Sequence, residues 1–447
     1  MNSDSRTVNL QNPFEPSASL PLLTIRFACA AILVDAVLTG RPLAEWLSVA
    51  AMLWVLVVVW GRHVLFAENL RALPRLGSGP AESGIPSPAP LVSVIVPARN
   101  EEIDIQSAVR ALAASDYPAL EILLIDDHST DSTLRVLQDL ARELPRLRVL
   151  SAPDVPPGWT GKTAASWFAF EQSNPASRWL LFTDARVKFH PQAVSRAVAH
   201  AEQKRLGFLS CIIRFDGKGL AEELIAIMQN RGLVISALGF GGSAPAAPFG
   251  LGAFSMIRRE VYVECGGHAL APDHPLEDFV LAKSAQLAGA ATAAAIASDL
   301  VSIRRYHGSG DMRRRIVRTL RVAASDHFVD LINRISLELL LGVLPLPIAM
   351  GAAARMIFTG MIVGRTVQPA LAALGALAFL AFLAGASTPR SAHVVCRFRR
   401  WVAWLHPLGA ALWTWFLLLA IGDRLRGRTI SWRGRVIQPP TPATPRN

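Results

Sequence analysis

The sequence predicts an α/β fold: a mostly parallel sheet with helices on both faces, held between N- and C-terminal transmembrane helices. Three observations predict it. Short continuous apolar runs alternate with amphipathic segments from Leu91 to about Phe328, the pattern of a sheet covered on both sides. Long apolar stretches with few charges sit at the two ends of the chain. Several of the central apolar runs stop at acidic residues, as strands do where a ligand site opens at their carboxyl ends.

The N-terminal segment, residues 1–72, carries the charge-free stretch Trp46–Trp60, which with Gly61, Arg62 and His63 approaches the ~20 residues a membrane crossing needs. Leu20–Leu38 is a second candidate, weakened by Arg26 and Asp35 at depth. The first 20 residues lack the pattern of a removable signal peptide. Residues 73–90, LPRLGSGPAESGIPSPAP, read as a linker of Pro, Gly and Ser. The central block, residues 91–330, gives strands at Val92–Val96, Ile122–Ile125, Arg148–Leu150, Trp179–Thr183, Gly207–Ile213 and Leu251–Ile257. Helices fall between them at Glu101–Ala114, Asp131–Glu143, Lys162–Gln172, Pro191–Gln203 and Leu220–Leu238. The block closes on GSGDMRRRIVRTLRVAASDHF. There Arg314, Arg318 and Arg321 share one helical face, and Ile316, Val317, Leu320 and Ala324 make an apolar side, as in a helix lying in a membrane surface. Residues 331–422 hold three more spans, Leu339–Ala354, Pro369–Ala386 and Trp401–Gly422; their prolines are tolerated in membrane helices. A basic tail, residues 423–447, follows.

The chain has 447 residues, is 51% hydrophobic and carries a net charge of +11, almost all of the basic excess being arginine. In a chain with membrane helices that balance marks the cytoplasmic face and anionic lipid rather than nucleic acid. Cys29, Cys211, Cys265 and Cys396 are scattered, without metal-ligand spacing.

Chemistry concentrates at the strand ends. The first strand ends in VPARNEE, the second in DDHSTDST and the fourth in TDAR, so three strands of one sheet bring acidic residues to one rim. Carboxylates there hydrogen-bond a base and ribose, or hold a divalent cation between phosphates. Asp126 and Asp127 have a second reading as caps of the following helix, with Ser129 and Asp131.

VSVIVPARNEE, ILLIDDHSTDST, TDA and EDFVLAKSAQLAG together resemble the family-two glycosyltransferases of the GT-A fold. PPGWTGKTAA, residues 156–165, and SWRGRVI, residues 431–437, are similar to the membrane-bound hopene-associated, carotenoid and ceramide glycosyltransferases. The resemblance implies that Pro97, Glu101, Asp126 and Asp127 line the nucleoside pocket of a nucleotide-sugar donor. It puts Lys162 on the diphosphate, Asp184 on ribose or metal, Asp278 as general base and Glu277 beside it. Catalysis of this kind is inverting: one carboxylate deprotonates the acceptor hydroxyl as it attacks the anomeric carbon.

Two departures bear on the mechanism. The family usually shows Asp-x-Asp where this chain has Asp184-Ala185-Arg186. A divalent cation, Mg²⁺ or Mn²⁺, prefers carboxylate oxygens, so either Asp184 suffices with waters and phosphates, Arg186 points away, or its guanidinium neutralises the diphosphate itself. The second departure is a missing tryptophan: polymerising relatives carry Gln/Arg-x-x-Arg-Trp on the membrane-surface helix, and here Arg315 and Arg318 are followed by Thr319. That favours one transfer over polymerisation, with Arg315 and Arg318 placed to close over the diphosphate.

The resulting expectation is transfer of a single sugar, from a UDP-sugar by resemblance, to a hydroxyl of a membrane lipid. The enzyme would sit in a bacterial cytoplasmic membrane with residues 91–330 in the cytosol. Transfer to polyprenyl phosphate and non-catalytic nucleotide-sugar binding are the alternatives. Two spans before and three after the central block would place the arginine-rich tail outside, against the positive-inside rule.

Overall fold

The computed structural model describes residues 26, 28–35, 42–77, 86–238, 248–274, 276–323, 328–363, 366–392, 395, 398–432 and 435–437. Much of the Leu20–Leu38 candidate, part of the 73–90 linker and about half of the tail lie outside the described residues.

Seven strands form the central sheet: β1 (Val92–Ala98), β2 (Leu120–Asp126), β3 (Leu147–Ser151) and β4 (Trp179–Phe182) of its parallel half, and then β6, β8 and β9 beyond the short strand β5 (Val187–Phe189). β6 spans Phe208–Ile212, β7 Arg214–Phe215, β8 Ser255–Arg258, β9 Thr292–Ile296 and β10 Val301–Ile303. The order across the sheet is β3-β2-β1-β4-β8-β6-β9. β1 pairs in parallel with β2 and β4, aligning Ile95 with Leu123 and with Phe182. β8 runs antiparallel to both β4 and β6, so the sheet is mostly parallel, as the sequence predicts, with β8 as its antiparallel strand. A separate small sheet, β5-β10-β7, stands beside it.

The central strands owe their place to apolar side chains on both faces. Val92, Val94 and Val96 pack with helix residues Ile105, Val109 and Leu112 on one side. Ile95, Leu123, Leu180 and Phe182 pack with Ala165, Ala169 and Leu281 on the other. Each such fully buried side chain contributes about 1.5–3 kcal/mol.

Among the described residues, four helices are long and apolar enough to cross a membrane: Trp46–Ala72, Pro345–Ile362, Pro369–Thr388 and Arg400–Leu425. The span expected at Leu339–Ala354 is divided, because Leu339–Val343 forms a wider π-helical turn and the regular helix starts at Pro345. Proline at a first helical position has no amide hydrogen to lose. The arginine-rich helix forms at Ser309–Ala323. Its apolar side, Met312, Ile316, Val317 and Leu320, is buried against Leu331, Ile335, Phe416 and Leu417. Protein rather than lipid therefore covers that face.

Candidate active site

The exits of β1 and β2 are stitched together by short-range polar bonds. Arg99 donates to the Asp127 carbonyl at 2.7 Å, and the Asn100 side-chain oxygen accepts from the Thr130 amide at 2.8 Å. Asn100 sits at φ +53°, a left-handed conformation that asparagine tolerates. The Glu101 amide donates to the Thr133 hydroxyl at 2.8 Å, and Glu102 accepts from the Ser132 amide at 3.0 Å. Asp126, only 4% exposed, accepts from the Ser129 amide at 3.2 Å. It thus holds the loop after β2 and does not cap the following helix, Thr133–Glu143, whose N-cap is Ser132. Its Oδ1 is buried without a hydrogen bond among the described residues. Asp127 lies 3.3 Å from His128 Nδ1. Pro97, Glu101, Asp126 and Asp127 thus share the rim.

A second group of residues lies at the exit of β4. Thr183 fixes that exit, its amide donating to the Ile95 carbonyl and its hydroxyl to the Ala253 carbonyl. Lys162 comes from the first turn of the helix Gly161–Gln172, where the Thr160 hydroxyl caps by accepting from the Thr163 amide at 3.2 Å. Glu277 and Asp278 open the helix Glu277–Leu287, where the dipole favours acidic groups. The Lys162 Nζ stands 2.8 Å from Asp184 Oδ1 and 2.7 Å from Glu277 Oε1. Asp278 accepts from the Gly252 amide and, at 2.9 Å, from its neighbour's amide on Phe279.

Two glycines make this convergence possible. A Cβ on Gly252 would stand 2.7 Å from Lys162 Nζ, 3.4 Å from Asp278 Oδ2 and 3.7 Å from Asp184 Oδ1. A Cβ on Gly250 would overlap the Asp278 carbonyl oxygen at 2.0 Å. The Gly250-Leu251-Gly252 strip is therefore the floor on which cation and carboxylates meet. Sequence reasoning missed it, although two glycines flanking one leucine just before β8 were a visible sign.

The electrostatics separate Asp278 from Asp184. Burial pushes the Asp278 carboxyl up and the Glu277 charge pushes it further, to about 7, with Lys162 opposing. Burial also acts to raise Asp184, but the Lys162 ammonium and the nearby guanidinium of Arg186 overcome it, and Asp184 is held below the usual range. For Lys162, burial works against the charge; Asp184, Glu277 and Asp278 outweigh it and hold its pKa well above the ordinary value. One acid is thus poised near neutrality while its neighbour stays ionised, the separation that assigns acid–base roles. Side-chain exposure rises from 11% at Glu277 to 29% at Lys162 and 40% at Asp184, so the cluster opens toward Asp184.

Arg186 points into the site. Its Nε lies 3.5 Å from Glu101 Oε1, its Nη1 donates to the Arg305 carbonyl at 3.1 Å, and the side chain is 13% exposed. It joins the β1 rim to the β4 exit and faces Asp311 electrostatically. Arg315 donates to both Asp311 oxygens, at 2.8 and 2.9 Å. The structure thus anchors Arg315 to its own helix and does not bring it to the Lys162 cluster; Arg318 follows on that same helix. His307 lies 2.6 Å from Asp104, tying the start of the arginine-rich helix to the first helix after β1.

A divalent cation would need oxygen ligands. Asp184 is engaged by Lys162, and the position two residues on is a guanidinium. Among the described residues no three His, Cys, Asp or Glu side chains form a metal-holding group. The donor set does not build a cation site from protein ligands alone.

Comparison with known proteins places this arrangement. Residues 93–266 match the model of glycosyl transferase family 2. The chain is 25% identical over 199 residues to a 4,4'-diaponeurosporenoate glycosyltransferase of Staphylococcus haemolyticus, covering 44% of this chain and 51% of that protein. It is 34% identical over 116 residues to a beta-monoglucosyldiacylglycerol synthase of Synechocystis, 22% of this chain and 24% of that one. The match therefore spans about half or less of the length of these curated relatives. A mannosyltransferase from Pyrobaculum calidifontis, solved in complex with GDP-Man and Mn²⁺, superposes with a TM-score of 0.45 at 17% identity, over 90% of this chain and 99% of that one. The matched residues include β1, β2 and β4 with their acidic rim, so it is the site-bearing part of the sheet that is similar to glycosyl transferase family 2.

Proposed function

We propose that this chain transfers one sugar from a nucleotide-sugar donor to a hydroxyl of a membrane lipid, with inversion at the anomeric carbon. The observation that carries the reading is the meeting of Lys162, Asp184, Glu277 and Asp278 over Gly252. It sets a cation for a diphosphate beside a carboxylate that titrates near neutrality. A base with a pKa near the working pH is the efficient one for proton abstraction.

In this reading Pro97, Glu101, Asp126 and Asp127 border the nucleoside, and Lys162 meets the diphosphate. The acceptor oxygen attacks the anomeric carbon and passes its proton to Asp278. The bond from that carbon to the donor phosphate breaks, and its electron pair leaves on the phosphate oxygen. Lys162 stabilises the charge that develops there, and Arg186, held by Glu101 and the Arg305 carbonyl, adds a second positive group at the same end. Where a divalent cation takes part, Asp184 is the carboxylate to hold it, and it supplies charge neutralisation to the phosphates.

The lipid acceptor rests on the four apolar helices among the described residues and on the two relatives, whose names specify 4,4'-diaponeurosporenoate and monoglucosyldiacylglycerol. UDP is the proposed donor nucleotide, and the cytosolic side of a bacterial cytoplasmic membrane the proposed placement of the site. The test is transfer by purified protein in native lipid extract, with Mg²⁺, with Mn²⁺ and with excess chelator, beside Arg186→Asp. Transfer surviving chelation supports neutralisation by Lys162 and Arg186. Transfer lost on chelation, and restored by Mn²⁺, assigns that work to a metal at Asp184.

A further inference from the structure

Away from the sugar site, a cavity of about 40 Å³ lies where helix Leu220–Leu238 meets the membrane-type helices. It is lined by Arg62, Arg231, Thr388 and His406 among apolar residues that include Ile227 and Leu341. That space takes a few water-sized groups, the scale of a phosphate head.

Its depth follows from helix geometry. Arg62 stands about 24 Å along the helix from Trp46, near the far edge of a hydrocarbon layer ~30 Å thick. A turn later the same helix enters the core of the central sheet through Phe66, Leu70 and Leu73. Thr388 lies 3.4 Å from His63, and Arg399, just before His406, pairs with Glu223 at 3.0 Å. Arg62, Thr388 and His406 therefore sit toward the domain-facing ends of their helices, near headgroup level, and Arg231 meets them from the helix Leu220–Leu238 of the sheet domain.

The charge there is unbalanced. Arg231 is paired with Glu338. Arg62 makes no hydrogen bond or ion pair among the described residues; its charged neighbours are Arg231, Arg26 and that one carboxylate. Among the described residues, Glu338 is thus the carboxylate acting on Arg62, against the guanidinium groups of Arg231 and Arg26. His406, 8% exposed, has its Nδ1 buried without a partner among the described residues. Ionisable groups among membrane helices are costly unless they serve a ligand, and basic pockets on the cytoplasmic side take anionic lipid heads.

We infer that this cavity binds the phosphate head of an anionic membrane lipid, with Arg62 as its main contact and His406 and Thr388 as further hydrogen-bonding groups. The bound lipid would lock Leu220–Leu238, which belongs to the sheet domain, to the membrane helices. This inference is independent of the sugar-transfer reading.

The test uses the full chain in phosphatidylcholine nanodiscs, titrated with phosphatidylglycerol or inorganic phosphate while its melting temperature is followed. Anionic lipid carried through purification is quantified by mass spectrometry. Expected are a rise in melting temperature with phosphatidylglycerol and none with free phosphate at equal concentration. Losing one charge-assisted contact makes binding about 10-fold to 100-fold weaker in Arg62→Gln, and Arg62→Lys falls between. Equal response to phosphatidylcholine and phosphatidylglycerol, equal stabilisation by free phosphate, or undiminished lipid retention in Arg62→Gln overturns the inference. Should Arg62→Gln not fold, the wild-type titration and Arg62→Lys decide the question. None of these readouts needs sugar transfer.

Discussion

Replacing Glu277 by glutamine removes one negative charge from the helix turn that carries Asp278 and leaves its shape nearly unchanged. The Asp278 carboxyl is raised from the ordinary 3.8 to about 7 by burial and then by Glu277, a penalty of about 4 kcal/mol against the ionised form. Acting as a base, Asp278 works only when ionised, so transfer grows as pH rises through about 7. One unit below that value about one molecule in ten is competent, and kcat/KM at pH 6 should be about a tenth of its alkaline plateau. In Glu277→Gln the repulsion is gone, while the Lys162 ammonium, having lost its 2.7 Å partner, still favours the ionised form. Both effects lower the pKa. The acid limb of kcat/KM should therefore move below 7, and the ratio of rates at pH 6 and pH 8 should climb toward one. Initial rates between pH 5 and pH 9, each normalised to its own plateau, give the limb free of any loss in donor affinity. A limb that stays in place or moves upward would refute the assignment of Asp278 as the base held up by Glu277.

Gly252→Ala sets a methyl 2.7 Å from the end of the flexible Lys162 side chain. Transfer should fall by roughly tenfold or more, the effect of a reacting group displaced by about 1 Å, with little change in melting temperature. Gly250→Ala meets the backbone of Asp278 instead; overpacking of that kind costs about 1–3 kcal/mol, seen as a lower denaturation midpoint. Lys162→Met leaves Asp184 and Glu277 without their cation, and breaking such a pair costs up to about 3–5 kcal/mol when fully buried. The 40% exposure of Asp184 puts the expected loss below that range. Donor affinity, read by calorimetry with the nucleoside diphosphate, should fall with it. Arg186→Ala removes the 3.5 Å neighbour of Glu101 from a pair whose side chains are only 13% and 15% exposed; nucleoside diphosphate binding should weaken more than binding of the nucleoside alone, since a charge-assisted contact to phosphate contributes about 1.5–3 kcal/mol.

The parallel half of the sheet was legible because β1, β2 and β4 are continuous apolar runs that end in acids, and two-sided burial requires that composition. β9 escaped because its Thr-Ala-Ala-Ala-Ile reads as helix by propensity and is strand only through pairing with β6. β5, β7 and β10 are two or three residues long and exist only as a mutual sheet. β8 was visible as a strand, but its antiparallel direction depends on how the chain returns between β4 and β6. In the site, Lys162, Asp184, Glu277 and Asp278 were named from motif and strand end. Which of them touch was not, because Lys162 and Glu277 are far apart in sequence and meet only over Gly252. The direction of Arg186 was open for the same reason. Its partners, Glu101 and the Arg305 carbonyl, come from opposite ends of the domain.

The central claim is that the Lys162–Asp184–Glu277–Asp278 cluster performs sugar transfer to lipid. It is tested most directly by incubating purified wild type and Asp278→Asn with radiolabelled UDP-sugars in native lipid extract and counting label in the organic phase. The expected result is lipid-soluble label from wild type, reduced about 10²- to 10⁴-fold in Asp278→Asn, the usual worth of a general base, with nucleoside diphosphate binding retained. Equal labelling by the two proteins, or no lipid label from wild type with any donor, would contradict it.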